Sequence, residues 1–378
     1  MKEKKKIVVI GPTYPFKGGI AHYTTLMARA LENKYETEII SYSLQYPKFL
    51  YPGNEQKDFK NDSFKYDNTK FLINTINPFN WIKVASYINR QSPEAIIVQW
   101  WHPYFAPCYW ALLRLINKEI KIIFLCHNVL PHERVIMDSF ITKQVLKKGT
   151  AHIVQSSLDE TNLLSLLPNT QFTKTVHPTY NAFKVDRYTV EESKKLLNIN
   201  SSGQTLLFFG FVREYKGLKH LLKALPHVIQ KLPKIKLLIV GDFFQDKEVY
   251  LDLIREYELE KYISIIDSYI PDDEVEKYFL ASDLVVLPYE SATQSGIVQI
   301  AYGFEKPVIV TNVGGLPEVV INEKTGYVIP PKDYAALSET IIKFFEENQA
   351  PFLEKQIKQE AYRFSWERLV EIIESHLE

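Results

Sequence analysis

Arg213 and Lys216 lie in the segment Phe209-Gly210-Phe211-Val212-Arg213-Glu214-Tyr215-Lys216-Gly217, which joins an apolar run of strand length to a helix-period segment. A glycine just after a strand lets the backbone approach a ligand, and the helix start that follows offers unpaired N–H groups to an anion. Arg213 can give an oxyanion two parallel hydrogen bonds, while Lys216 acts as a mobile point charge. A solvated basic turn is the plain alternative. Two cations in a Gly-bounded strand-to-helix loop favour a diphosphate site.

A second loop has related chemistry: Pro288-Tyr289-Glu290-Ser291-Ala292-Thr293-Gln294-Ser295-Gly296-Ile297-Val298-Gln299. Gln294 and Ser295 precede a helix that Gly296 and Ile297 open, again suited to an anion, although Ser295 could equally be an ordinary N-cap. Glu290 does not suit phosphate, but a carboxylate accepts hydrogen bonds from sugar or ribose hydroxyls. The run Asn312-Val313-Gly314-Gly315-Leu316-Pro317-Glu318 places a glycine pair after another strand and by itself reads as a turn. Near the N-terminus, Pro15-Phe16-Lys17-Gly18-Gly19-Ile20-Ala21 lacks both the Gly-x-Gly-x-x-Gly order and a following Gly-Lys-Ser/Thr. Dinucleotide and P-loop readings are therefore weak. His102 and His127 follow successive strands, the latter within Cys126-His127-Asn128-Val129-Leu130-Pro131-His132-Glu133. Lone histidines at such places are usually structural, but their polar neighbours point these two towards a ligand-binding edge. Neither a His-Glu-x-x-His pair nor a carboxylate trio is present, so no metal is expected. Asp272-Asp273 reads as an acidic helix start.

These loops need strands to position them. Strand-length apolar runs occur at Ile7 to Gly11, Ala95 to Gln99, Lys121 to Cys126 and His152 to Gln155. A second series occupies Thr205 to Phe209, Lys236 to Val240, Ile263 to Ile266, Leu284 to Leu287 and Val308 to Thr311. Helix-period segments alternate with them, at Gly19 to Leu31, Phe105 to Asn117, Gly217 to Lys231, Asp272 to Ala281 and Gly296 to Phe304. Two such βαβ series predict two Rossmann-like domains with parallel sheets, facing across a cleft. Residues 1–178 make the first and 179–359 the second. Ligands of such sheets bind at the carboxyl ends of the strands, where every loop above lies. The stretch from Tyr42 to Asn80 has poor periodicity and reads as an insertion or mobile loop with a helix near its end.

Composition narrows the function classes. The chain has 378 residues, 45 basic and 45 acidic side chains, so no global field recruits nucleic acid. Cys108 and Cys126 are too few for a disulfide framework or zinc site and read as buried free thiols. The first apolar run is too short for a signal segment or a membrane span, so a cytoplasmic protein is expected. Lys4-Lys5-Lys6 and the Tyr/Phe/Lys-rich stretch from Tyr42 to Phe71 motivate a test for peripheral contact with the inner membrane face, with a solvated loop as the plainer reading.

The pattern resembles the retaining glycosyltransferases of family 4, with the GT-B fold. The resemblance spans nearly the whole chain. It rests on Gly18-Gly19, His127, Arg213, Lys216-Gly217, the segment from Ser282-Asp283-Leu284 to Pro288, and Lys306-Pro307-Val308-Ile309-Val310-Thr311-Asn312-Val313-Gly314-Gly315-Leu316-Pro317-Glu318. The ending Phe364-Ser365-Trp366-Glu367-Arg368 looks like the family's last segment, which implies that residues 360–378 pack back on the N-terminal domain. The resemblance implies a nucleotide-sugar donor, retention of anomeric configuration and no bound metal. It gives Arg213 and Lys216 the leaving diphosphate, places His127 beside the transferred sugar and closes the Gly18-Gly19 loop over phosphate or acceptor. The family's pair of glutamates is incomplete: Glu290 fits the first, and Gln299 stands near the second, able to accept from ribose hydroxyls.

The expected function is transfer of a sugar to a glycan, a lipid-linked glycan or a small acceptor. Two alternatives stay open: a nucleotide-sugar 2-epimerase on the same fold, and a silent subunit that binds a nucleotide sugar or a partner. The missing second acid argues mildly against the first and is the reason for the second.

Overall fold

The computed structural model describes residues 4–50, 56–59, 62–131, 137–200, 203–243, 247–292 and 294–378. Thr293 and the pair His132-Glu133 lie outside the described residues. The chain divides into two compact units, Met1–Val176 with Ser365–Glu378, and His177–Phe364.

The first unit is built on a parallel sheet of seven strands: β1 (Lys6–Ile10), β2 (Glu36–Leu44), β3 (Thr69–Asn74), β4 (Ala95–Trp100), β5 (Lys121–Cys126), β6 (Ala151–Val154) and β7 (Phe172–Lys174). Their order is β3-β2-β1-β4-β5-β6-β7. In β1 every second side chain points to the same face. Val8 and Ile10 join a core with Val84, Ala85 and Ile88 of the helix Pro78–Gln91 and Tyr109 and Leu112 of the helix Ala106–Arg114. Ile7 and Val9 join an opposite core with Tyr23 and Met27 of the helix Gly19–Glu32. Covering both faces is why these strands are apolar throughout rather than alternating.

The last helix, Trp366–Ser375, belongs to this second core through Leu369, Val370, Ile372 and Ile373. Ser365 caps it, accepting from the Arg368 N–H at 3.0 Å.

The second unit holds the other six strands: β8 (Thr205–Phe209), β9 (Lys236–Val240), β10 (Ile263–Ile266), β11 (Leu284–Leu287), β12 (Val308–Thr311) and β13 (Gly326–Ile329). They run parallel in the order β10-β9-β8-β11-β12-β13. In each unit the first strand has the second on one side and the fourth on the other. This is the doubly wound order whose direction reverses between strands one and four.

Two expectations need correction. The region from Tyr42 to Asn80 is not simply an inserted loop, because it contains the end of β2 and all of β3. β3 is an edge strand with half-exposed side chains, so its sequence lacks the apolar signature of a central strand. The helix predicted for Phe105 to Asn117 is confined to Ala106–Arg114, with a single 3-10 turn over Pro103–Phe105 before it. His102 opens that turn, its Nδ1 accepting from the Tyr104 N–H at 3.1 Å.

Candidate active site

In the second unit the reversal falls between β8 and β11, and the two cation- and amide-bearing loops follow those strands. Gly210 ends β8 with φ 97°, a conformation that favours glycine. Its carbonyl lies so close to Gly241, at the end of β9, that a methyl group on Gly241 would stand 2.2 Å from it. A methyl group on Gly210 itself would meet the Lys216 Nζ at 3.1 Å and the Ile297 Cδ1 at 3.4 Å. Gly210, Lys216 and Ile297 are thereby gathered at one point. After a 3-10 turn over Glu214–Lys216, Gly217 takes φ 69° and starts the helix Leu218–Lys231 without a side-chain cap.

Lys216 is held in an unusual setting for a lysine. Its Nζ lies 5.7 Å from the centre of the Tyr289 ring, and no carboxylate faces it among the described residues. Burial, with the Arg213 charge adding to it, lowers its pKa to about 8. A lysine amine brought out of water without an anion is poised for one. Arg213, on an extended backbone just before the 3-10 turn, is exposed.

Glu290 occupies a different place. Its Oε1 meets the Lys219 Nζ and the His220 Nε2, each at 2.9 Å, and its Oε2 meets the Lys332 Nζ at 2.9 Å. Burial pushes its pKa up, but hydrogen bonds from Lys332, Lys219 and His220 outweigh that and bring it down to about 2. Its backbone N–H donates to the Tyr215 carbonyl at 2.6 Å, joining the loop after β11 to the loop after β8. The preceding residue, Tyr289, is buried, and its carbonyl accepts from the Thr311 hydroxyl at 2.6 Å at the end of β12.

Gln294, Ser295 and Gly296 lead into the helix Gly296–Gly303. Ser295 does not cap this helix through its side chain; its Oγ lies 3.4 Å from the Tyr289 hydroxyl. The ordinary-capping reading therefore does not account for it. In this segment Nε2 of Gln294 and Oε1 of Gln299 are buried without a hydrogen-bond partner among the described residues. Orphaned buried polar atoms are costly, and a ligand that pairs with them removes that cost. Gln299 is 1% exposed, so its amide is enclosed rather than presented on an open surface.

In the first unit, Gly18 precedes the helix Gly19–Glu32 with φ 111°, and a methyl group there would meet nothing within 4 Å. The conformation suits glycine and the space beside it is open. His127 follows β5 and is 9% exposed. Its Nε2 lies 2.6 Å from the Gln99 Oε1, and its ring packs edge-on to Tyr23 at 4.7 Å. Gln99 and Tyr23 thus orient His127, and sequence reasoning named neither in this part. Among the described residues, no three His, Cys, Asp or Glu side chains converge as a metal site would require. Cys108 and Cys126 are free and buried, and burial raises both thiol pKa values, that of Cys108 to about 12.

Residues 189–364 match the model of the family described as glycosyl transferases group 1. The match covers somewhat less than half of the chain. It takes in the whole of the Gly210, Lys216, Glu290 and Gly296 constellation. This chain is similar to the D-inositol 3-phosphate glycosyltransferase of Corynebacterium efficiens, at 25% identity over 187 residues, 48% of this chain and 44% of that protein. A longer similarity, 24% over 275 residues, joins 71% of this chain to 69% of the N-acetyl-alpha-D-glucosaminyl L-malate synthase of Bacillus anthracis. The chain spans about half the length of several curated relatives it matches. Among solved structures, the sucrose-phosphate synthase of Thermosynechococcus elongatus superposes with a TM-score of 0.72 at 18% identity, covering 98% of both chains. Anabaena HepE in complex with UDP gives 0.71 at 15% identity, covering 98% of this chain and 100% of that one. The fold is therefore GT-B, with two Rossmann-like α/β units.

Proposed function

We propose that this chain is a glycosyltransferase that takes its sugar from a nucleoside-diphosphate donor, with the diphosphate at Gly210, Arg213, Lys216 and the start of the helix Gly296–Gly303. The observation that carries this reading is the Lys216 amine, desolvated beside Gly210 and Ile297 and facing no carboxylate among the described residues. HepE, of the same fold, is known in complex with UDP and with UDP-glucose, which supports a nucleotide sugar as the donor.

In the reaction, the bond between the anomeric carbon and the diphosphate oxygen breaks, and the electron pair leaves with the diphosphate. Negative charge grows there as positive charge grows on the sugar ring. Fixed cations and uncapped helix N–H groups aimed at the leaving oxygens stabilise that state more than the ground state. Arg213 supplies a planar fork of donors for the phosphate oxygens, and Lys216 a charge that diphosphate binding reinforces. The reading needs no metal, because these residues meet the leaving charge. His127, oriented by Gln99, is assigned to the transferred sugar, and the open Gly18-Gly19 turn to phosphate or acceptor. The anomeric carbon bonds instead to a hydroxyl oxygen of the acceptor, which gives up its proton, with retention of configuration; the acceptor is a glycan, a lipid-linked glycan or a small molecule.

Glu290 is assigned the part of holding the two phosphate-side loops together. Gln294 and Gln299 are assigned to the nucleotide or sugar, whose hydroxyls and carbonyls would complete their orphaned amide atoms. The 2-epimerase alternative needs acid and base carboxylates beside the sugar, and Glu290, held ionised by Lys219, His220 and Lys332, does not supply the acid.

A donor panel tests the proposal. Purified protein is incubated with UDP-, GDP- and ADP-sugars and candidate acceptors, and release of the nucleoside diphosphate is followed. Acceptor-dependent release from one donor is expected, with Arg213→Ala and Lys216→Ala each lowering kcat/KM at least about 100-fold, the scale of losing a fixed donor to a developing anion, while the circular dichroism stays unchanged. Near-wild-type turnover in both variants would remove the diphosphate assignment.

A further inference from the structure

We infer that the first unit carries a docking surface for an anionic lipid bilayer, formed by the helices Ala106–Arg114 and Asp138–Leu146. These helices pack against each other, and between them lies a groove of about 380 Å³ whose apolar lining, Ala106, Pro107, Trp110, Phe140, Ile141 and Val145, is interrupted only by Gln144. The groove is apolar, and its rim is unusually exposed for such residues: Phe140 is 61% exposed and Trp110 37%. Met137, one helical turn before Phe140, is 63% exposed. A contiguous patch of large apolar side chains around a groove marks an interaction surface rather than scattered surface hydrophobics.

The charges around the groove decide among occupants. At 3.6 residues per turn, Phe140, Lys143 and Lys147 fall on one side of the helix Asp138–Leu146 and its C-terminal extension, while Asp138 falls on the opposite side. Lys143 and Lys147 also line a second groove along the same helix. Lys148 follows directly. Across the apolar groove, Arg114 stands over the Trp110 ring, 5.1 Å from its centre. Among the described residues, none of Lys143, Lys147, Lys148 and Arg114 pairs with a carboxylate. A Trp and a Phe flanked by cations that face no acid is the chemistry of an anionic interface: the aromatic rings enter the headgroup boundary while the lysines meet lipid phosphates. Among the described residues, the side of this helix that carries Phe140, Lys143 and Lys147 holds no acid with which a symmetric second copy could neutralise these cations.

Other basic segments fit less well. Lys5 pairs with Glu94 at 2.5 Å, Lys6 with Glu36 at 3.2 Å, and Lys4 donates to the Glu32 carbonyl at 2.7 Å, so the N-terminal lysines are already engaged within the fold. The exposed apolar group at Ile76, Phe79 and Ile82 provides a control surface.

Vesicle sedimentation tests the inference without any turnover, so its outcome is separate from that of the donor assignment. Full-length protein is mixed with phosphatidylglycerol–phosphatidylcholine vesicles or pure phosphatidylcholine vesicles at low and high salt. Binding to the anionic vesicles at least about tenfold tighter than to the neutral ones is expected, falling as salt rises. Trp110→Ala/Phe140→Ala and Lys143→Glu/Lys147→Glu should each weaken it at least about tenfold, at unchanged melting temperature, while Phe79→Ala/Ile82→Ala binds as wild type does. Because each substituted residue is at least partly exposed, the variants should fold; should one not, Phe140→Ser or Lys147→Glu alone provides the same comparison. No sedimentation at low salt, loss through the Phe79/Ile82 pair instead, or a dimer in solution that Phe140→Ser dissolves would each overturn the inference.

Discussion

At the residue scale, Lys216 and Glu290 have opposite protonation economies, and each predicts a measurement. The folded-state pKa of Lys216 lies below its ordinary value of 10.5, near 8. Its charged form is therefore the disfavoured one, and the fold gains stability as pH rises from about 8 towards 10.5. Diphosphate binding has the reverse demand, because it needs the proton. Donor affinity should be highest below pH 8 and fall as pH climbs through that value, and Lys216→Arg should move this alkaline limb upwards. An alkaline limb unchanged in Lys216→Arg would show that another group sets it. Lys216→Met should raise thermal stability by on the order of 1 kcal/mol, roughly 2–4 °C, while abolishing turnover. Calorimetry beside the activity assay reads both. Glu290 behaves in the opposite way. Its folded pKa of about 2 lies below the usual 4.5, so its contribution is complete above 4.5 and lost as pH falls towards 2. Glu290→Gln should cost about 1–2 kcal/mol at neutral pH, allowing for the exposure of Lys332. It should also flatten the acid limb of stability between those two values. An acid limb as steep as in wild type would show that other carboxylates govern it.

At the element scale, the loops work because the strand ends beneath them approach closely, and Gly217 is where that approach is tightest. A methyl group there would stand 1.9 Å from the Pro288 carbonyl, and the φ of 69° is itself costly for an L side chain. Gly217→Ala should therefore push the loop after β8 away from the loop after β11, costing about 2–4 kcal/mol and lowering donor affinity together with stability. Wild-type donor affinity in a destabilised Gly217→Ala protein would separate the loop junction from the site. The legibility of the sequence follows the same geometry. The central strands beneath the site, β8, β9, β11 and β12, are covered on both faces, so their apolar runs mark their ends to the residue. β2 was hidden because it buries polar groups: Glu38 is 3% exposed and accepts from Tyr87 and Gln91. The edge strand β3 escaped for the converse reason, having too little buried to show a pattern. In the site, types and spacing marked Gly210, Arg213, Lys216 and Gly296. The partners of Glu290 did not show, since Lys332 lies 42 residues further along, in a loop without a motif of its own.

At the scale of the whole molecule, each unit has its own cores, and the first unit is completed by residues 365–378, which the chain supplies only after building the second. The helix Trp366–Ser375 buries Leu369, Val370, Ile372 and Ile373 against the core formed by Ile7, Val9, Tyr23 and Met27. Tyr23 also packs edge-on against Trp366 at 4.9 Å, on the same ring that orients His127. The last helix is thus one ring away from a residue assigned to the sugar. Ile373→Ala leaves a cavity in this core and should cost about 2–5 kcal/mol, as large-to-small substitutions at fully buried positions do. Because Ile373 is 0% exposed and its core lies within the first unit, the loss should fall on that unit. Hydrogen exchange read segment by segment should show β1, β4 and β5 losing protection while β8, β9 and β11 keep theirs. Trp366→Ala isolates the functional side of the same arrangement: with the aliphatic contacts intact, Tyr23 loses a ring neighbour and His127 loses part of its support. Turnover should then fall by more than donor affinity does, since the diphosphate residues belong to the second unit. Equal losses of protection across both sheets in Ile373→Ala, or a Trp366→Ala protein with unaltered kcat, would show that the last helix neither stabilises the first unit selectively nor reaches the chemistry through Tyr23.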